Sequence, residues 1–234
     1  MFACRSKCVL IRANPESEES EVGSVTRAIA IAAVLASASS AQAGIMRITE
    51  WMYSGSTSEY IEFCNIGVTP TDMTGWSYDD STQTPGSVDL SLFGMVMPGE
   101  CVILAESTAG AFNSGWSLGG TVKIIGGNTE NLGRNDEINL YNYRGDLIDR
   151  LTYGDQTFPG TIRTQNFSGW VSADGFGEND LSDWTLSSIG DLQGSVMSAQ
   201  GDIGSPGRHV PNIPEPSSLA LLGLGAVALF RRRR

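Results

Sequence analysis

Ser58-Glu59-Tyr60-Ile61-Glu62-Phe63-Cys64-Asn65 decides the fold of this 234-residue chain. Within it, Ile61 and Phe63 point to one face and Glu62 to the other, the two-residue period of a β-strand. Working outward, similar segments recur every 8–15 residues, each bounded by Gly, Pro, Asn or Asp. They are Ile45 to Tyr53, Gly75 to Tyr78, Val88 to Phe93, Cys101 to Ala105, Thr121 to Ile125, Glu137 to Tyr141 and Leu147 to Tyr153. The last two flank Asn142-Tyr143-Arg144-Gly145-Asp146, a hairpin turn with Gly145 placed for positive φ. No amphipathic helix of ten or more residues is evident between Gly44 and Pro211. With 28 Gly and only 18% charged residues, the composition suits a turn-rich β-sandwich better than a helical bundle.

The two ends read differently. From Arg27 one positive charge precedes an apolar run, Ala28 to Ala36, and small residues follow to Ala41-Gln42-Ala43. That is the pattern of a secretory signal peptide cleaved between Ala43 and Gly44. Glu16, Glu18, Glu19 and Glu21 lie where positive charge is expected, which places the translation start downstream, near Val22 or Val25. Cys4 and Cys8 then carry no structural meaning. At the other end, Pro214-Glu215-Pro216 precedes an apolar run from Leu219 to Phe230 and four arginines, Arg231, Arg232, Arg233 and Arg234. The run is about 12–14 residues against the ~20 of a relaxed span, so it suits a temporary anchor held from the cytoplasmic side by its arginines. The expected organisation is 1–43 signal peptide, 44–211 β-domain and 212–234 tail.

This tail resembles the PEP-CTERM sorting signal in all three parts and in their order. The resemblance implies an exosortase-type transpeptidase that recognises Pro214, Glu215 and Pro216, removes the tail, and passes the protein from the inner membrane to the cell surface or exopolysaccharide matrix.

The middle resembles the lamin-tail domain. Ile48-Thr49-Glu50 matches that family's opening strand, and Glu59 to Asn65 its "E-[YF]-[VI]-E-[LI]-x-N". Met73-Thr74-Gly75-Trp76 matches "L-x-G-W", and Met97-Pro98-Gly99-Glu100 the turn before a strand. Leu132 to Leu140 and Gly145 to Tyr153 match two further motifs, with Asn135-Asp136 in place of the usual Gly-Asp. Asp183-Trp184 and Gly204-Ser205-Pro206-Gly207-Arg208-His209-Val210-Pro211-Asn212 approximate a closing Trp strand and "T-P-G-x-x-N". The Gly/Ser/Asp-rich segment from Gly175 to Gly201 departs from the pattern and leaves the last strands unassigned. The resemblance implies an all-β, immunoglobulin-like β-sandwich, flanked here by a signal helix and a short C-terminal membrane helix. It implies no single activity, since the family serves as accessory or interaction modules.

The formal charge is −11, and between Gly44 and Pro216 22 Asp/Glu stand against 7 Lys/Arg, a balance of −15. Such a surface repels phosphate backbones and argues against nucleic acid partners. Cys64 and Cys101, the two cysteines of the exported part, are either a disulfide closing a loop of about 38 residues or two buried thiols. His209, the only histidine, reads as a solvated linker residue, so a Ser-His-Asp triad is not available. Asp174, Glu178, Asp180 and Asp183 are weak candidates for Ca²⁺, without EF-hand spacing. Of five tryptophans, Trp76 reads as core, whereas Trp116 and Trp170 stand in loop-like contexts and are candidates for stacking on sugars. No cofactor is expected. The leading functional reading is a non-catalytic structural or interaction module of the surface or exopolysaccharide matrix. A carbohydrate-binding module, Ca²⁺-assisted or not, is second, and a hydrolase using a carboxylate pair is third.

Overall fold

A computed structural model describes residues 45–210. The expected signal segment with its Ala43–Gly44 cleavage point, and the tail with Pro214–Pro216, Leu219–Phe230 and Arg231–Arg234, lie outside the described residues. In chain order the strands are β1 (Met46–Met52), β2 (Tyr60–Asn65), β3 (Thr71–Asp72), β4 (Ser77–Asp79), β5 (Val88–Asp89), β6 (Met95–Val96), β7 (Cys101–Ala105), β8 (Lys123–Gly126), β9 (Asp136–Tyr141), β10 (Leu147–Tyr153), β11 (Gly169–Val171), β12 (Trp184–Leu186), β13 (Val196–Met197) and β14 (Ile203–Gly204). One α-helix, α1 (Ala109–Trp116), joins β7 to β8.

Two sheets face each other. One has six strands in the order β12-β11-β1-β2-β7-β8, the other four in the order β10-β9-β4-β5. Every pairing is antiparallel except β7 with β8, whose parallel course requires the α1 crossover. Between the sheets, Ile48, Trp51, Ile61, Phe63, Val102 and Leu104 pack with Tyr78, Ile138, Leu140, Leu151 and Tyr153. Trp51 and Tyr153 hold their ring centroids 3.8 Å apart. This is an immunoglobulin-like sandwich, and Ile61 and Phe63 face its interior as the alternation of β2 requires.

The outer face of the six-stranded sheet is covered as well, so every residue of β2 is buried. Half of the cover is α1. Thr108 caps it, its hydroxyl accepting from the Ala111 amide at 3.3 Å, and Ser117 ends it in the left-handed region at φ 54°. Phe112 and Trp116 pack on Met52, Tyr60, Ile103 and Ala105. At eight residues this helix is too short to display a clear 3.6-residue period. The other half of the cover is the chain from β13 onward, treated below.

β1 and β2 shift register between Ile48 and Glu50, a β-bulge. Consecutive residues Thr49 and Glu50 therefore both bond groups on the outer face, Thr49 to Glu62 and Glu50 to Tyr60. The Ile48 amide donates instead to Asp149 Oδ2 at 2.8 Å, a strut from the first sheet to β10 of the second. β10 is an edge strand, and side chains occupy its backbone groups. Arg47 Nη1 donates to the Ile148 carbonyl at 3.0 Å, and Asn179 Oδ1 accepts the Thr152 amide at 2.6 Å. Such plugging blocks edge-to-edge association.

Three expectations change. The strand at Val88 stops at Asp89, because Asp89 Oδ1 takes the Ser91 amide and hydroxyl and turns Ser91–Phe93 into a 3₁₀ turn. Trp116 and Trp170 are buried, at 4% and 7% exposure, so neither offers a face to a sugar. His209 is not a solvated linker residue: it packs on Phe176, ring centroids 5.2 Å apart, and burial holds its pKa down at about 4.

Cys64 and Cys101 are direct cross-strand partners in β2 and β7. Their Cα atoms are 4.1 Å apart and the sulfurs are bonded, at a sequence separation of 37. Loop closure of that length stabilises by roughly 3–4 kcal/mol through the unfolded state. Reduction with a phosphine should therefore lower the unfolding free energy by about that amount, read as a shift of the urea midpoint to lower concentration. An unchanged midpoint with two thiols titrated would contradict the cross-link's role.

Candidate functional site

The densest polar constellation lies on the outer face of the six-stranded sheet. Glu50 and Glu62 are 1% and 0% exposed. A buried carboxyl group without donors would be strongly unfavourable, and the fold brings them from remote sequence. Tyr60 Oη donates to Glu50 Oε1 at 2.7 Å, and Ser168 Oγ donates to the same oxygen. The Ser205 amide reaches Oε1 at 2.7 Å, and the Ser205 hydroxyl reaches Oε2 at 2.9 Å. Glu62 accepts the Thr49 hydroxyl at 2.7 Å on Oε1, and the Gly207 and Arg208 amides at 2.8 and 3.2 Å on Oε2.

Local sequence explains this docking. Ser205-Pro206-Gly207-Arg208 forms a turn closed by the Arg208 amide on the Ser205 carbonyl at 3.2 Å. Pro206 presets its first corner, and Gly207 supplies the positive φ, 83°, of the second. The turn thereby aims two successive amides at one carboxylate oxygen. Gly204 just before it leaves no room for a side chain: a Cβ there would lie 2.6 Å from Tyr60 Oη and 3.0 Å from Glu50 Oε1. Asp202 adds a further tie, accepting the Ser56 and Thr57 amides at 2.9 and 2.6 Å. The Ala199 amide bonds the Gly115 carbonyl of α1 at 2.8 Å. Residues 196–210 thus form a strap across the sheet.

Burial is the first cause of the Glu50 and Glu62 pKa shifts, and it raises both against the pull of their donors. Glu62 is pushed up to about 8, with Glu50 a second cause. Glu59, at the mouth of β2, also rises to about 8, by burial first and then by Glu106 and Asp136. Its donor is the Leu132 amide at 2.8 Å. Asp149 rises to about 6, again through burial. These groups are structural acceptors. The strap covers Glu50 and Glu62, which gives a substrate no approach to that carboxylate pair.

Asp174, Glu178, Asp180 and Asp183 do not converge. Among the described residues, the only group of three potential ligands within 4.8 Å is Glu62, Cys64 and Cys101, and its sulfurs are bonded to each other. Asp180 instead caps a 3₁₀ turn, accepting the Ser182 amide at 2.9 Å. Open surface pockets lie elsewhere on the domain. A 490 Å³ pocket beside the disulfide is lined by residues including Met97, Glu100, Cys101, Val122 and Gly207. A 340 Å³ pocket is lined by Thr152, Phe158, Thr161, Asn179, Asp180 and Leu181. Sequence reading missed the strap and this second pocket. Tyr60, Glu62 and Cys64 on one face was the available signal for the strap, because an aromatic and a cysteine beside a carboxylate suit a covered face better than a solvated one.

The pH dependence of stability follows with a definite sign. Glu59 and Glu62 bind protons more tightly folded, at about 8, than unfolded, at about 4.5. Their contribution is complete below pH about 4.5 and lost as pH rises through about 8. Asp89, Asp155, Asp180 and Asp191 are held low, by hydrogen bonds that for Asp191 outweigh burial. Their contribution is lost in the opposite direction, on acidification. The melting temperature should peak at about pH 4–4.5, between the free Asp value of 3.8 and the free Glu value of 4.5, and fall towards pH 8.5, and Glu62→Gln should flatten that fall. A stability rising from pH 6 to 8.5 would contradict the assignment. Gly204→Ala should cost about 2–4 kcal/mol in urea unfolding through the displaced carboxylate partners.

Comparison with known families fits this architecture. The Lamin Tail Domain family matches residues 39–155, half of the chain and the part carrying β1 to β10. The PEP-CTERM protein-sorting motif matches residues 212–234. Neither the curated proteins nor the solved structures contain a significant match. Both matched families are non-catalytic. The strands beyond residue 155 complete the six-stranded sheet, and β14 opens into the turn that holds Glu62. With its sandwich, its buried strand carboxylates and its matched motifs taken together, the chain belongs to the lamin tail domain family and carries a PEP-CTERM sorting motif.

Proposed function

We propose that this protein is a non-catalytic interaction module of the cell surface or exopolysaccharide matrix. An exosortase-type enzyme, on this reading, cuts it at Pro214–Pro216 while Leu219–Phe230 and Arg231–Arg234 hold it transiently in the inner membrane. The observation that carries the reading is the PEP-CTERM motif at residues 212–234. That motif implies export, membrane anchoring before processing, and recognition by such an enzyme.

The sandwich supports it in two ways. The Cys64–Cys101 disulfide suits an oxidising envelope. The strap also fixes where the tail leaves the domain. Arg208 is the last residue held by Glu62, and five residues separate it from Pro214. The excess of acidic residues between Gly44 and Pro216, 22 against 7 basic, favours solubility and disfavours nucleic acid.

Expression with and without the processing enzyme tests this. With it, the surface or matrix fraction should contain protein that has lost the residues after the motif, shown by intact mass. Pro214→Ala with Pro216→Ala should leave full-length protein in the inner membrane. Recovery of uncut chain at the surface, or processing indifferent to those prolines, would overturn the proposal.

A further inference from the structure

The 340 Å³ pocket beside the β10 edge has the size and the lining of a small-molecule site. Its apolar lining is Leu181 and Phe158, an aromatic left 40% exposed. Its polar lining is Thr152, Thr161, Asn179 and Asp180.

The parts are held in place before any ligand arrives. The Thr157 and Phe158 amides both bond the Gly154 carbonyl, at 3.1 and 2.8 Å. The Phe158 carbonyl accepts the Thr161 amide at 3.2 Å and the Thr161 hydroxyl at 2.7 Å. These bonds fix the backbone on both sides of Phe158. Asn179 is clamped to β10, accepting the Thr152 amide at 2.6 Å and donating to Thr152 Oγ1 at 3.0 Å. Asp180 is fixed by its Ser182 amide.

An exposed aromatic ring beside a short row of hydroxyl, amide and carboxylate groups matches the two-sided chemistry of a pyranose. The C–H face of a sugar suits such a ring, and its hydroxyls suit the exposed side chains of Asn179 and Asp180. Asp180 and the excess of acidic over basic residues between Gly44 and Pro216, 22 against 7, disfavour anionic ligands such as uronates and phosphates. We propose that this pocket is a saccharide subsite for one neutral pyranose unit of an extracellular polysaccharide, with Phe158 as the stacking platform and Asp180 as the acceptor of sugar hydroxyls. The proposal rests on the surface-matrix reading above and supplies its ligand class. It moves the sugar contact away from Trp116 and Trp170, which are buried.

The full chain in mild detergent, titrated calorimetrically with cellohexaose, mannohexaose and isomaltohexaose, tests it independently of sorting. At least one of these neutral oligosaccharides should bind, with a dissociation constant on the order of 0.1–1 mM, and an alginate hexamer should not. Phe158→Ala should weaken binding at least tenfold and Asp180→Asn at least fivefold, with the unfolding midpoint unchanged in both. No binding of any neutral hexasaccharide, equal binding of alginate, or undiminished binding by Phe158→Ala would each overturn the subsite. Failure of sorting would appear only in the cell fractions.

Discussion

Two carboxyl groups in the middle of a β-sheet, Glu50 and Glu62, must be given hydrogen-bond donors once water is excluded from them. Strands β1 and β2 cannot supply enough, because their amides are committed to the ladder. Tyr60, Thr49 and Ser168 provide hydroxyls, and the rest come from Ser205, Gly207 and Arg208, more than 140 residues away in sequence. The closing strap is therefore an obligate part of the sheet. Removing it would leave two carboxyl groups short of partners, at a cost of about 1–3 kcal/mol for each buried group left unsatisfied.

Several other features follow from that requirement. The bulge at Thr49–Glu50 turns two consecutive side chains to the outer face, which one regular strand cannot do. Gly204 is small because Glu50, Tyr60 and Ser168 converge where its side chain would stand. The Cys64–Cys101 bond pins β2 to β7 next to Glu62, with Thr49 Oγ1 3.0 Å from the Cys64 sulfur. The proposed functional features sit at the periphery. The sorting motif follows the strap in sequence, and the pocket at Phe158 lies on loops bonded to the β10 edge.

The sandwich was legible because its long strands alternate or run apolar: Tyr60 to Cys64, Cys101 to Ala105 and Leu147 to Tyr153 all lie where the residues place them. The hairpin at Asn142–Asp146 was legible from Gly145, which adopts φ 80°. The region from Gly175 to Gly201 was not. Its strands are two or three residues long and exist only because β11 and the strap offer partners, so no local period announces them. Trp116 read as a loop residue because a helix of eight residues shows barely two turns. Trp170 lies in a three-residue strand after Gly169, too short to reveal which face is covered. His209 read as solvated because prolines flank its segment, although Phe176 covers it. The polar residues of the family motifs were recognisable as structural, but their partners were not, because hydrogen bonds between residues 50 and 205 leave no trace in spacing.

The central claim is that residues 205–208 are bonded into the sheet through Glu50 and Glu62. Amide hydrogen exchange tests it most directly. The account predicts that the amides of Ser205, Gly207 and Arg208 exchange as slowly as those of β2, and that Glu62→Ala releases Gly207 and Arg208 while the β9–β10 hairpin stays protected. Fast exchange of these three amides in the unmutated protein would contradict it.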